Sequence, residues 1–206
     1  MIIAFCGMDG SGKTTLSRRV KEELVKKGHS AVVIEPFEYV IWAPLLKLLG
    51  GGERLVSAGG EKKNNFFLFK LWPFLALFDH WAQFLFKIKT LEKKYDYIIA
   101  DRFFFDFAAS FKYFGYTTKW LDKLYLKLIP KTDLTFVLDL PPEIALEREQ
   151  DGSHSLNFFS YQRAYYLALI EDFRLHKLNA LLETEELVKA TNTSVRPTAG
   201  EHQYSL

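Results

Sequence analysis

Residues 2–15 read IIAFCGMDGSGKTT, and their order decides the fold. The run 2–6 is short and apolar, as a buried strand requires, and it stops on glycine. From Lys13 the period changes: Leu16, Val20, Leu24 and Val25 fall on one face of a helix that Gly28 closes. A second β-branched run, 31–34, ends at Glu35-Pro36. Strand, glycine loop, helix and strand make a βαβ unit, whose strands run parallel because the helix supplies the crossover.

Inside that unit, Gly7 to Thr14 read GMDGSGKT and fit G-x-x-x-x-G-K-[ST] in full, between a strand and a helix as the mechanism demands. Gly7, Gly10 and Gly12 let the backbone N–H groups of the loop, those of Asp9 and Ser11 among them, turn inward around phosphate oxygens. The helix that starts here points its positive end at the same oxygens. Lys13 is placed to reach the β- and γ-phosphates, the Thr14 hydroxyl to ligate Mg²⁺, and Thr15 to cap the helix or touch the α-phosphate. No Asn-Lys-x-Asp guanine-reading motif occurs, and no Asp-x-x-Gly follows the third strand, which argues against a GTPase switch. ATP and Mg²⁺ are the expected cofactors.

Outward from the loop, the patterns predict a helix over 39–49, a glycine-rich connection over 50–60 and a long helix over about 64–94 in which Pro73 marks the place for a kink. A third strand over 97–100 runs into Asp101-Arg102. Helices over about 106–114 and 118–129, a fourth strand over 132–139 and a helix begun by Pro141 and Pro142 follow. A polar segment with the composition of a lid, about 148–157, leads into a helix over 157–175, a short strand over 177–180 and a helix over 184–190. The expected architecture is a three-layer α/β P-loop NTPase fold, with a central parallel sheet of about five strands flanked by helices. It forms one domain over 1–190, followed by a flexible tail over 191–206.

Composition limits the partners. The 206 residues are 25% charged and 49% apolar with a formal charge of +2, which lacks the strong basic field that nucleic acid would select. The stretch 66–86 is aromatic and about long enough to cross a bilayer, but Lys70, Pro73, Asp79 and His80 interrupt it. A buried or interface helix is expected there, with no membrane span. Its aromatics, with those of 103–114, are read mainly as core and secondarily as a homodimer face. Cys6 is the single cysteine, and the chain starts without a basic leader, so a cytoplasmic protein is expected.

Three stretches resemble one family, the thymidylate kinases and their wider nucleoside monophosphate kinase relatives: FCGMDGSGKTT, Asp101-Arg102-Phe103 after YDYIIA, and DLTFVLDLPPEIALERE at 133–149. The resemblance implies that Asp9 hydrogen-bonds the 3′-hydroxyl of a nucleotide acceptor and that Arg102 grips the acceptor phosphate. Asp101 would hold Mg²⁺ or its waters, and Arg148 would close over the transferring group. Arg163, in the helix after the lid, faces either the phosphates or solvent. The chain departs from the family at Ile34-Glu35-Pro36-Phe37, where Arg-Glu-Pro-Gly is usual, and at Trp81, where an arginine that meets the base is usual. Its lid carries a single arginine.

Together these residues imply a thymidylate kinase-like phosphotransferase. Lys13, Thr14, Asp101 and Arg148 serve the transfer, and Asp9, Glu35, Phe78, Trp81 and Arg102 hold a nucleoside monophosphate, dTMP or a relative. Two other readings stay open: a P-loop kinase of a non-nucleotide acceptor, and a catalytically weak nucleotide-dependent switch or scaffold.

Overall fold

The apolar run that opens the chain becomes β1 (Ile2–Gly7), the middle strand of the sheet, and all but its first residue are buried. The computed structural model describes residues 1–34, 66–149, 152 and 154–195, and of 66–73 the backbone alone. After β1 come α1 (Lys13–Lys26), β2 (Ala31–Ile34), α2 (Phe66–Leu91), β3 (Tyr97–Asp101), α3 (Phe104–Tyr113) and α4 (Lys119–Lys127). Then follow β4 (Leu134–Asp139), α5 (Pro142–Arg148), α6 (Leu156–Phe173), β5 (His176–Asn179) and α7 (Thr184–Ser194). The expected helix over 39–49, the glycine-rich connection, Glu35, and residues 150, 151, 153 and 196–206 lie outside the described residues.

The strands stand in the order β2-β3-β1-β4-β5, and every neighbouring pair is parallel. From β1 the chain leaves towards β2, whereas β3 and β4 lead the other way. The switch in direction therefore falls at the carboxyl end of β1, where open sheets of this kind form their ligand crevice. Phe5 lies in register with Asp101 on one side and with Phe136 on the other, so the phosphate loop and the Asp101-Arg102 turn leave the sheet side by side.

Helices cover both faces, α1 against α7 on one and α3 against α6 on the other, which is the three-layer α/β arrangement expected. Phe5 stacks on Phe136 with ring centroids 5.5 Å apart. Phe103, Phe104, Phe159 and Tyr166 are fully buried behind them. The core reading of the aromatics thus holds for much of 103–111. Phe78, Phe86 and Phe114 are exposed.

Of the boundaries that differ from the sequence reading, two have local reasons. Helix α3 starts at Phe104 because the Asp106 carboxylate reaches back and accepts the Phe103 N–H at 2.8 Å, as a third-position acid does in a capping box. Helix α7 runs to Ser194, past the expected end at 190. There Thr191 is fully buried beside Leu187 and Val188, and its hydroxyl donates to the Leu187 carbonyl at 2.8 Å. A threonine so satisfied behaves as a core residue. Helix α2 continues through Pro73 without a break, and no described helix is long and apolar enough to cross a membrane.

On α2, Asp79 and His80 are both fully buried. The His80 ring lies 4.0 Å from that of Phe107 and meets Phe104 edge-on. Burial pushes its imidazole down from 6.5 to about 4, against the pull of Asp79.

Phe136→Ala removes the inner ring of the β1–β4 stack and should cost about 3–5 kcal/mol, measured by urea unfolding. A loss under 1 kcal/mol would show that the stack contributes little. The unfolded chain protonates His80 near 6.5 and the folded chain only near 4. Stability should therefore fall by about 3 kcal/mol as pH drops through that window, and His80→Gln should lack that component. Parallel pH profiles for the two proteins would contradict it.

Candidate active site

The site is assembled where β1 ends. Gly7, Gly10 and Gly12 all have positive φ, 147°, 79° and 92°, and the Ser11 N–H closes the turn on the Met8 carbonyl at 3.2 Å. At Gly10 the conformation and the space agree: a Cβ would lie 3.0 Å from the Ala145 carbonyl oxygen and 3.0 Å from Arg148 Cβ. The loop is thus pressed against α5, and Arg148 Nη1 reaches the Gly10 carbonyl at 3.4 Å. Gly12 caps α1 without a side-chain hydrogen bond, and the first turn of α1 carries no acid. The orphan N–H groups and the positive end of the helix dipole therefore remain for an anion.

Lys13 is almost fully buried. Its ammonium donates to the Gly7 and Met8 carbonyls at 2.8 Å each and lies 3.4 Å from Asp9 Oδ1. Arg102 closes the arrangement from the other side by donating from Nη2 to the same Asp9 oxygen. Asp9 thus bridges two cations. Its burial would raise the carboxyl, but Lys13 and Arg102 outweigh that and hold it below its ordinary range. Burial, with Arg102 nearby, lowers the Lys13 ammonium. Arg102 holds this pose with φ at 79°, in the left-handed region that costs a non-glycine residue about 1–3 kcal/mol and is concentrated at functional sites.

Asp101, at the end of β3, is nearly buried, and its Oδ1 has no hydrogen-bond partner among the described residues. A carboxylate oxygen left so is costly unless something positive meets it. Thr14 and Thr15 are exposed on the first turn of α1. The Asp101 carboxylate and the Thr14 hydroxyl are the hard oxygen donors that Mg²⁺ selects.

Of the residues expected from sequence, Asp9, Lys13, Asp101, Arg102 and Arg148 converge on the loop. Phe78 is exposed on α2. Trp81 donates its indole N–H to the Leu128 carbonyl at 2.7 Å and packs edge-on to Phe84 and Phe104. For Arg163, left open between phosphates and solvent, the structure gives a third answer. Its Nε and Nη2 hold the two oxygens of Asp139 at 2.6 and 3.2 Å, tying α6 to the end of β4.

Three residues at the site carried no functional expectation. The Asp106 carboxylate accepts the Gly7 N–H, and the buried Tyr166 hydroxyl donates to the same oxygen. In the sequence Asp106 is the one acid in FFFDFAA, and a lone charge in an aromatic run was the available signal. His154, half-buried, contacts Glu149, whose side chain is buried, and stacks on Phe158 at 4.6 Å.

No protein-family model matches the chain. It is 30% identical over 197 residues to a probable thymidylate kinase of Sulfurisphaera tokodaii, with 92% of both chains covered. It is 31% identical over 201 residues to one of Sulfolobus acidocaldarius, covering 92% and 93%. With one of Archaeoglobus fulgidus it shares 32% over 149 residues, covering 72% and 68%. Likeness of this degree along nearly the whole length, on a five-stranded parallel sheet with a phosphate loop at its switch point, makes the chain a member of the thymidylate kinase family, a phosphotransferase acting on a nucleoside monophosphate.

Proposed function

We propose that the chain is a thymidylate kinase that transfers the γ-phosphoryl of ATP to dTMP. The observation that carries this reading is the contact of Asp9, inside the phosphate loop, with Arg102 at the neighbouring strand end. One oxygen of Asp9 joins the lysine of a donor site to the arginine of an acceptor site. A lone loop carboxylate would repel phosphates, whereas one balanced by two cations can accept a hydrogen bond from a sugar hydroxyl and leave the field positive.

In this mechanism the loop N–H groups and the α1 N-terminus hold the donor phosphates, and Lys13 turns from the loop carbonyls to the β- and γ-oxygens. Arg102 forks onto the acceptor phosphate and sets one of its oxygens in line with the γ-phosphorus. That oxygen forms the new bond as the bond to the β–γ bridging oxygen breaks, and ADP leaves. Arg148, held at Gly10 by α5, neutralises charge on the transferring group. Thr14 and Asp101 would hold Mg²⁺, which offsets charge on the phosphate oxygens when bound. Glu35, Phe78 and Trp81 complete the acceptor side in this reading. Because the Trp81 N–H is spent on Leu128, its ring can offer a base only a face.

ADP release from ATP and Mg²⁺, with dTMP, dUMP, CMP, UMP, AMP and GMP offered singly against a blank, tests the proposal. Acceleration by dTMP above the rest is expected. A uniform blank rate would overturn it in favour of a non-nucleotide acceptor or a switch. Lys13→Ala should abolish transfer. Arg102→Ala, which removes a charged fork, should raise the acceptor KM by about 10–100-fold, and an unchanged KM would remove Arg102 from the acceptor site.

A further inference from the structure

Asp106 is buried, and four groups meet its carboxylate. Oδ1 accepts the Gly7 N–H at 3.2 Å and the Tyr166 hydroxyl at 2.7 Å, and Oδ2 accepts the Phe103 N–H at 2.8 Å. The Cys6 thiol lies against the same carboxylate; burial, and then that carboxylate, push the thiol up. Only an acceptor-only side chain satisfies so many donors: an amide would turn an N–H against one of them, and a hydroxyl offers a single oxygen.

What these donors belong to gives the arrangement its meaning. Gly7 opens the phosphate loop, and its carbonyl receives the Lys13 ammonium, so this one residue is held by a carboxylate through its N–H and by the catalytic lysine through its oxygen. Phe103 directly follows Arg102, whose left-handed φ persists only where surrounding contacts over-determine it. The Phe103 N–H bond to Asp106 is one of those contacts. Tyr166 lies on α6, the helix after the segment that carries Glu149 and His154.

We propose that Asp106 is a positioning residue for phosphoryl transfer, its carboxylate fixing the start of the donor loop to the turn that carries Asp101 and Arg102 while Tyr166 extends the same tie to α6. Donor loop and acceptor grip then keep one relative placement, to which in-line transfer is sensitive at the ångström level. This rests on the chain acting as a monophosphate kinase.

Asp106→Asn and Tyr166→Phe test it, each compared with wild type by thermal unfolding, by calorimetric affinity for ADP, and by kcat and acceptor KM below the melting temperature. Asp106→Asn should weaken ADP binding and lower kcat/KM at least about tenfold; Tyr166→Phe, which keeps the ring, should lower it about threefold or more. Should Asp106→Asn fail to fold, Tyr166→Phe decides. Folded variants whose ADP affinity, kcat and KM all stay within twofold of wild type, with only the melting temperature lowered, would overturn the proposal, because a merely structural tie predicts that pattern. If the wild type turns over with none of the monophosphates, the kinase reading falls while ADP affinity in the variants still judges Asp106, since that measurement needs no acceptor.

Discussion

A buried ammonium needs oxygen around it, and Lys13 finds that oxygen in the carbonyls of the loop that precedes it. The loop can present them only because its glycines adopt positive φ, and it leaves a strand buried on both faces. Everything else at the site is arranged about this charge. Asp9 balances it, Arg102 balances Asp9, and Asp106 holds the backbone from which both bonds start. Three carboxylates and two cations gather at the neighbouring ends of β1 and β3; Asp9 and Asp106 are each met by cations or by donors, whereas Oδ1 of Asp101 has no partner among the described residues.

Much of the fold was legible because its signals are local. A strand that is apolar throughout, a glycine loop and a helix with one apolar face prescribe a parallel βαβ unit wherever they occur, and repetition of the pattern prescribes the layers. Strand order was a different matter: only pairing shows that β1 lies between β3 and β4. The misplaced ends have a common cause. At Asp106 and Thr191 a polar residue marks a boundary in the sequence, whereas both are buried within their helices, Thr191 satisfied by the Leu187 carbonyl and Asp106 by donors from the cap, the phosphate loop and α6.

The site divides along the same line. Lys13 and Thr14 belong to a motif whose spacing is dictated by phosphate geometry, so the sequence alone points to them. Asp106 and Tyr166 are 60 positions apart, and nothing in either neighbourhood announces the other. Arg163 shows the converse: its neighbourhood leaves it between phosphates and solvent, and its partner, Asp139, is 24 positions away and is identified only in three dimensions.

The left-handed backbone at Arg102 sets two demands against each other. Glycine would adopt that φ without strain, as the loop glycines do, and a chain selected for stability alone would drift towards it. Glycine there would also strip Asp9 of one of its two cations. Under the proposed function, position 102 is thus a place where folding and chemistry favour different residues, and keeping the arginine concedes some stability to the acceptor grip.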